Sequence, residues 1–204
     1  NGVVHANKRG NLGLQILVDL LGAADEADGG QAEAPVVIAF LGSLDQLGMG
    51  GKAQIVIGAE IDHTGLCGGI DENMRIPEVY EVESAVEYDF DLSDVNGTSV
   101  GVLDERNSAY IPATTKGIYP AKILASGDRF KNDTSDFALL DQLNCTLRDM
   151  EGAAIAHICE KNNVAFRALK VVSDVRGLGS MPEQYLANSK IALSALSDAV
   201  RKWA

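Results

Sequence analysis

The chain has 204 residues, 46% of them hydrophobic and 23% charged, which is the balance of a folded domain and excludes a disordered segment. With 29 Asp and Glu against 17 Lys and Arg the formal net charge is −12, a field that repels nucleic acid and anionic membrane surfaces, so neither is expected as a partner. No run reaches the ~18 apolar residues of a membrane span, and the first residues, NGVVHANKRG, lack the apolar stretch of a secretory signal.

In chain order, NLGLQILVDLLG (11–22) places Leu14, Leu17, Val18 and Leu21 at helical spacing and stops at Gly22, so a helix is expected there. A small, acidic loop (22–34) follows. Strands are expected in APVVIAF (34–40), AQIVIGAEI (53–61), PEVYEVESAV (77–86), TSVGVL (98–103), YPAKILAS (119–126) and VAFRALKVVS (164–173). LDERNSAYIPATTKGIYP (103–120), polar and with two prolines, reads as a loop. DMEGAAIAHICEKNN (149–163) reads as a helix with Met150, Ala153, Ala154 and Ile158 along one face and Asp149 and Glu151 in its first turn, where negative charge suits the helix dipole. The last helix begins near Ser180, a capping residue, with Pro182 in the first turn and Glu183 completing a capping box. Its apolar stripe is Leu186, Leu193, Leu196, Val200 and Trp203. Strands interspersed with helices give the α/β class with a mixed sheet. Neither a repeat nor a composition break divides residues 1–204, so one domain is expected.

Several short stretches are candidates for chemistry. GLCGG (65–69) follows an apolar run through Asp62, His63 and Thr64; it is either a tight turn or a loop at the carboxyl edge of the sheet where bare backbone approaches a ligand. SGDRF (126–130) follows a strand and is either an ordinary turn or one that presents Phe130 to a flat ring. Asp149 and Glu151 have a sufficient structural reason in the helix dipole, but Gly152, Ala153 and Ala154 leave Glu151 in a narrow setting where a carboxylate could accept two hydrogen bonds from a vicinal diol. Ser173-Asp174 ends an apolar strand, a favoured place for an acid or base in an α/β sheet, the alternative being a cap or turn for the next loop. His157 lies on an apolar helix as a core residue. His5 and His63 have no second ligand at metal spacing, so no metal is expected. Cys67, Cys145 and Cys159 are odd in number, widely spaced and without CxxC, which fits core thiols in a reducing cytoplasm rather than a disulfide framework.

The order of these motifs, GLCGG, VEYDFDLSD (86–94), SGDRF, RDMEGAAIAHIC and VVSDV, resembles the nucleoside phosphorylase and nucleosidase superfamily, and within it the 5′-methylthioadenosine/S-adenosylhomocysteine nucleosidases, over residues 62–204. The resemblance implies a three-layer α/β/α fold around a twisted mixed sheet, a homodimer, a small purine nucleoside as partner and no cofactor, with phosphate as co-substrate if the reaction is phosphorolysis. It also implies roles. Glu151 binds the ribose hydroxyls, Met150 packs on the sugar and Phe130 stacks on the purine. Cys67, Gly68 and Gly69 lie at the base pocket, and Asp174 is the acid at purine N7 with Ser173 beside it. Residues 1–61 depart from the family pattern: VVHANKRGN offers Asn7, Lys8 and Arg9 where the hydrolases carry a glutamate that positions water. Lys131 also stands where the nucleosidases carry an aliphatic residue. Three functions follow as expectations: hydrolysis of a purine nucleoside first, phosphorolysis by the same pocket second, and a non-catalytic nucleoside-binding protein third, the last motivated by the missing glutamate.

Overall fold

A computed structural model describes residues 60–103, 106–129 and 134–203, together with two backbone strands nearer the N-terminus. The strands are β1 (Leu14–Leu17), β2 (Val36–Gly42), β3 (Glu60–Gly69), β4 (Val79–Glu87), β5 (Ile111–Pro112), β6 (Ala121–Ser126), β7 (Leu147–Asp149) and β8 (Ala165–Val175). The helices are α1 (Ser93–Asn96), α2 (Thr134–Gln142), α3 (Gly152–Lys161) and α4 (Met181–Trp203).

The strands form one mixed sheet in the order β1-β2-β3-β7-β6-β4-β5, and β8 pairs with both β3 and β4. That double pairing closes β3, β7, β6, β4 and β8 into a ring, leaving β1, β2 and β5 as extensions from it. β8 is paired with β3 along its whole length and with β4 over Leu169–Val171, and the helices packed on its two faces account for its continuous burial from Phe166 to Val175. Its residues alternate between two cores. Phe166, Ala168 and Val172 join Ala153, Ala156 and Cys159 of α3, whereas Leu169 and Val171 join Ala192, Leu196, Ala199 and Trp203 of α4. Helices thus cover both faces of this strand, in the α/β/α layering that the sequence resemblance implies. Each fully buried aliphatic or aromatic side chain in these cores contributes roughly 1.5–3 kcal/mol.

Four expectations need correction. The helix expected over 11–22 is replaced by the strand β1, whose backbone pairs antiparallel with β2 from Leu14↔Gly42 to Leu17↔Ala39; a short apolar run fits either period, and the available edge of β2 decides. The strand expected over 98–103 is a turn, because Gly101 takes a positive φ of 80° and breaks the extended run. The loop expected at GLCGG is the carboxyl half of β3, held between β8 and β7, while residues 53–59 of the strand expected there lie outside the described residues. Helix α3 starts at Gly152, so Asp149 ends β7 and Glu151 is the N-cap instead of either acid occupying the first turn.

The helix faces are also redrawn. Buried on α3 are Gly152, Ala153, Ala156 and Cys159, while Ala154 and Ile158 are exposed and His157 is only half-buried. On α4 the stripe is Ala192, Leu196, Ala199 and Trp203, and Leu186, expected in it, is 73% exposed. The three cysteines are free and buried, as core thiols should be. The expected loop over 22–34 lies outside the described residues. Among the described residues no helix is long and apolar enough to cross a membrane.

Candidate functional site

The site begins with strand register. β3 and β8 run parallel and end together, with Gly68 opposite Asp174 and Gly69 opposite Val175 after a bulge between Cys67 and Gly68. On its other edge β3 pairs with β7, Gly68 opposite Arg148, and β7 pairs with β6, Asp149 opposite Ser126. Four strand ends therefore deliver Asp174, Gly68, Asp149 and Ser126 to one edge of the ring.

Asp174 is buried at 3% exposure. Its carboxylate accepts a hydrogen bond from the Ser173 hydroxyl at 2.8 Å, and that hydroxyl also lies 3.3 Å from the Cys67 carbonyl. Burial pushes the Asp174 carboxyl up to about 6, against the opposing effects of the Ser173 hydroxyl and Arg148. A Cβ built on Gly68 would stand 2.9 Å from Asp174 Oδ2, so only glycine lets this carboxylate lie over the β3 backbone. Beside it opens a cleft of about 240 Å³, its mouth included, lined by Gly68, Gly69, Phe137, Arg148, Asp174 and Met181 among others.

The second half of the site is the corner Asp149-Met150-Glu151 between β7 and α3. Asp149 is its hub. Its carboxylate accepts from Ser126 Oγ at 2.5 Å, from Glu151 N at 3.3 Å and from Gly152 N at 3.1 Å, and it pairs with the Lys170 ammonium at 2.7 Å. Ser126 Oγ in turn accepts from Ala153 N at 2.8 Å. His63 Nε2 lies 2.6 Å from Lys170 Nζ and 3.5 Å from Asp149. Burial alone would raise the Asp149 pKa, but Lys170 and His63 hold it well below the usual carboxylate range. Burial first and Lys170 second lower His63 to about 4, against the pull of Asp149. The imidazole is therefore neutral at neutral pH, and its contact with Lys170 assigns the lone pair to Nε2 and the proton to Nδ1.

Glu151 is half-buried, and its side chain makes no capping hydrogen bond. Burial and the neighbouring Asp149 raise its pKa. Tyr185, on the first turns of α4, has its phenol raised by burial and by the charges of Asp174 and Glu151. It thus stands in the field of both carboxylates, one from each half of the site.

Of the residues singled out in the sequence, Asp174, Ser173, Cys67, Gly68 and Gly69 converge at the ends of β3 and β8. Met150 and Glu151 form the neighbouring corner and do not line the cleft. Phe130 lies outside the described residues. The Cys67 thiol is held far above its usual range by burial, so it is a packed thiol and not a nucleophile. Sequence reasoning passed over Lys170 and Arg148, weighed His63 only as a metal ligand and Ser126 only as a turn residue, and gave Asp149 only a dipole role. A lysine inside the strand AFRALKVVSDV was the available signal, since a charge buried on both sides requires a partner.

The chain has relatives of known name. Over 127 residues the chain is 28% identical to a 5′-methylthioadenosine/S-adenosylhomocysteine nucleosidase of Haemophilus ducreyi, covering 55% of this chain and 54% of that protein. It is 30% identical over 159 residues to a 5′-methylthioadenosine nucleosidase of Arabidopsis thaliana, covering 74% of this chain and 55% of the relative. The chain thus spans about half the length of these relatives. The apo structure of Arabidopsis thaliana 5′-methylthioadenosine nucleosidase superposes with a TM-score of 0.60 at 27% identity, over 71% of this chain and 60% of that one. The family model of the phosphorylase superfamily matches residues 54–202. With the whole ring and both carboxylate-bearing strand ends inside that span, the chain belongs to the phosphorylase superfamily.

Proposed function

We propose that this protein cleaves the N-glycosidic bond of purine nucleosides of the methylthioadenosine and S-adenosylhomocysteine type, with water as nucleophile. The observation that carries this reading is the Asp174 carboxyl, buried at the rim of the cleft over bare Gly68 backbone and pushed up to about 6. A purine leaves poorly as an anion. In its protonated form Asp174 gives its proton to N7, and the C1′–N9 bond breaks with its electron pair going to the purine. The ribose becomes oxocarbenium-like, water adds at C1′ and gives up a proton to solvent, and Asp174 takes a proton back from solvent for the next turnover. Ser173, its neighbour on β8, holds the Asp174 carboxyl in orientation.

Glu151, three residues beyond Arg148 of the cleft lining and free of any cap bond, is assigned to the ribose 2′- and 3′-hydroxyls, and Met150 to packing on the sugar. Phe130 as the stacking partner, a homodimeric assembly and a cytoplasmic setting belong to the same proposal and rest on the family resemblance. The relatives named above, nucleosidases by name, support hydrolysis over phosphorolysis.

Incubation with methylthioadenosine, adenosine and inosine, with and without phosphate, tests the reading through the sugar product. Release of free ribose or methylthioribose together with base, at a rate independent of phosphate, is expected. Ribose 1-phosphate formed only with phosphate would instead assign phosphorolysis, and tight binding with no base release would assign a binding protein. A narrower test is Gly68→Ala. The atom that must yield is the tip of the Asp174 side chain, so the fold should survive with a small change in melting temperature. The displaced acid should lower kcat/KM about tenfold or more; unchanged kcat/KM would detach Asp174 from the reaction.

A further inference from the structure

We propose that His63 is a positioning residue for the ribose-binding corner, acting on Glu151 through Lys170 and Asp149. The inference rests on the nucleoside-cleaving role proposed for Asp174 and Glu151. The route is a continuous set of contacts. His63 Nε2 meets Lys170 Nζ at 2.6 Å, Lys170 Nζ meets Asp149 Oδ2 at 2.7 Å, and Asp149 accepts from the backbone N–H groups of Glu151 and Gly152. His63, Lys170 and Asp149 are all buried, and each comes from a different strand of the ring.

A buried lysine and aspartate would be an ion pair whether or not a histidine were present. The pair alone leaves the ammonium free to swing on its four-carbon stem, and an ammonium has three protons to satisfy in a place without bulk water. The neutral imidazole supplies a second acceptor, and its own position is set by stacking over Phe166, with ring centroids 6.3 Å apart and 25° between planes. Two acceptors at fixed positions give Lys170 one orientation, and that orientation pins Asp149 Oδ2. Oδ1 is pinned by Ser126. A carboxylate held at both oxygens fixes the two N–H groups that follow it, and the first of these belongs to Glu151. The consequence is selective: His63 acts on the sugar half of the site, whereas the base half, Asp174 and Gly68, is built on contacts that do not include it.

Calorimetry with two ligands reads this selectivity in the 204-residue chain: free adenine, which reports the base half, and an adenine C-nucleoside, whose carbon–carbon glycosidic bond is not cleaved. His63→Leu removes the acceptor at similar size. It should weaken the C-nucleoside about tenfold or more, the scale of one displaced charge-assisted hydrogen bond, and leave adenine within about twofold. His63→Gln, whose amide oxygen can reach Lys170, should recover most of the loss. If His63→Leu does not fold, His63→Asn, which keeps an amide oxygen but is too short to reach, gives the same comparison. Equal weakening of both ligands, or none of either, overturns the inference. Wild-type protein that binds neither ligand overturns the nucleoside reading and takes this inference with it, whereas unaltered variants beside a wild type that binds both sink the inference alone.

Discussion

Asp174→Asn is expected to lower kcat/KM for base release about 10²- to 10⁴-fold, the usual contribution of a positioned general acid, with the melting temperature changed by only a few degrees. Asparagine has nearly the same shape, fits the same space over Gly68, and still accepts from the Ser173 hydroxyl through its amide oxygen. It donates a hydrogen bond to N7 but has no proton to transfer. Turnover within tenfold of the wild type would remove Asp174 as the acid.

The pH profile is the stricter check. The reactive form is the protonated one, and burial places its midpoint at about 6. The protonated fraction, and with it kcat/KM, should therefore fall as pH rises through 6, approaching tenfold per unit at higher pH. The asparagine variant should show no such limb, since the titrating group is gone. A wild-type profile that rises from pH 6 to 8 would have the wrong sign for an acid at this position and would make Asp174 a base.

Much of the candidate site around Asp174 and Gly68 was legible in the sequence as a juncture of strand ends, because its cues are local. A serine and aspartate at the end of an apolar run, and glycines at the end of another, report on strand ends without knowledge of which strands pair. The α/β class and the strands around 79–87, 121–126 and 165–175 follow from β-rich runs in the same way. What escaped is what register decides. Asp149 looks like a helix-dipole acid when its neighbours in sequence are considered. Its actual partners, Lys170 and His63, are 21 and 86 positions away and meet it only because β3 pairs with both β7 and β8. The same holds for GLCGG, which seemed a loop because glycines weaken strands in isolation; flanking strands on both edges hold it extended. Leu186 was misassigned because the periodicity of an amphipathic helix identifies a stripe but not where along the helix the partner surface ends.

Lys170→Met should produce the largest loss of stability among substitutions in this chain's site, about 3–5 kcal/mol, the range for removing one partner of a buried ion pair. Methionine keeps the length and much of the volume of lysine, so the loss reports charge and not a cavity. Asp149 would be left as a buried anion held by Ser126 and two N–H groups, its other ion-pair partner among the described residues being His63, which is neutral at neutral pH. In the wild type Lys170 depresses the Asp149 pKa, so this contribution is present above the unfolded carboxylate value and is lost as pH falls through the folded one. In the variant burial acts without that opposition. Asp149 would then gain a proton at higher pH than in the unfolded chain, and His63, relieved of the neighbouring ammonium, would gain its proton more easily beside Asp149. Both changes take up protons in the folded variant, so the stability deficit should be widest near pH 7 and should narrow on acidification toward pH 5. Denaturant unfolding of both proteins at the two pH values measures it. A deficit that stays constant or widens as the pH falls would mean that the Asp149–Lys170 contact does not carry the charge balance of the corner, and that the buried ring edge is held by packing alone.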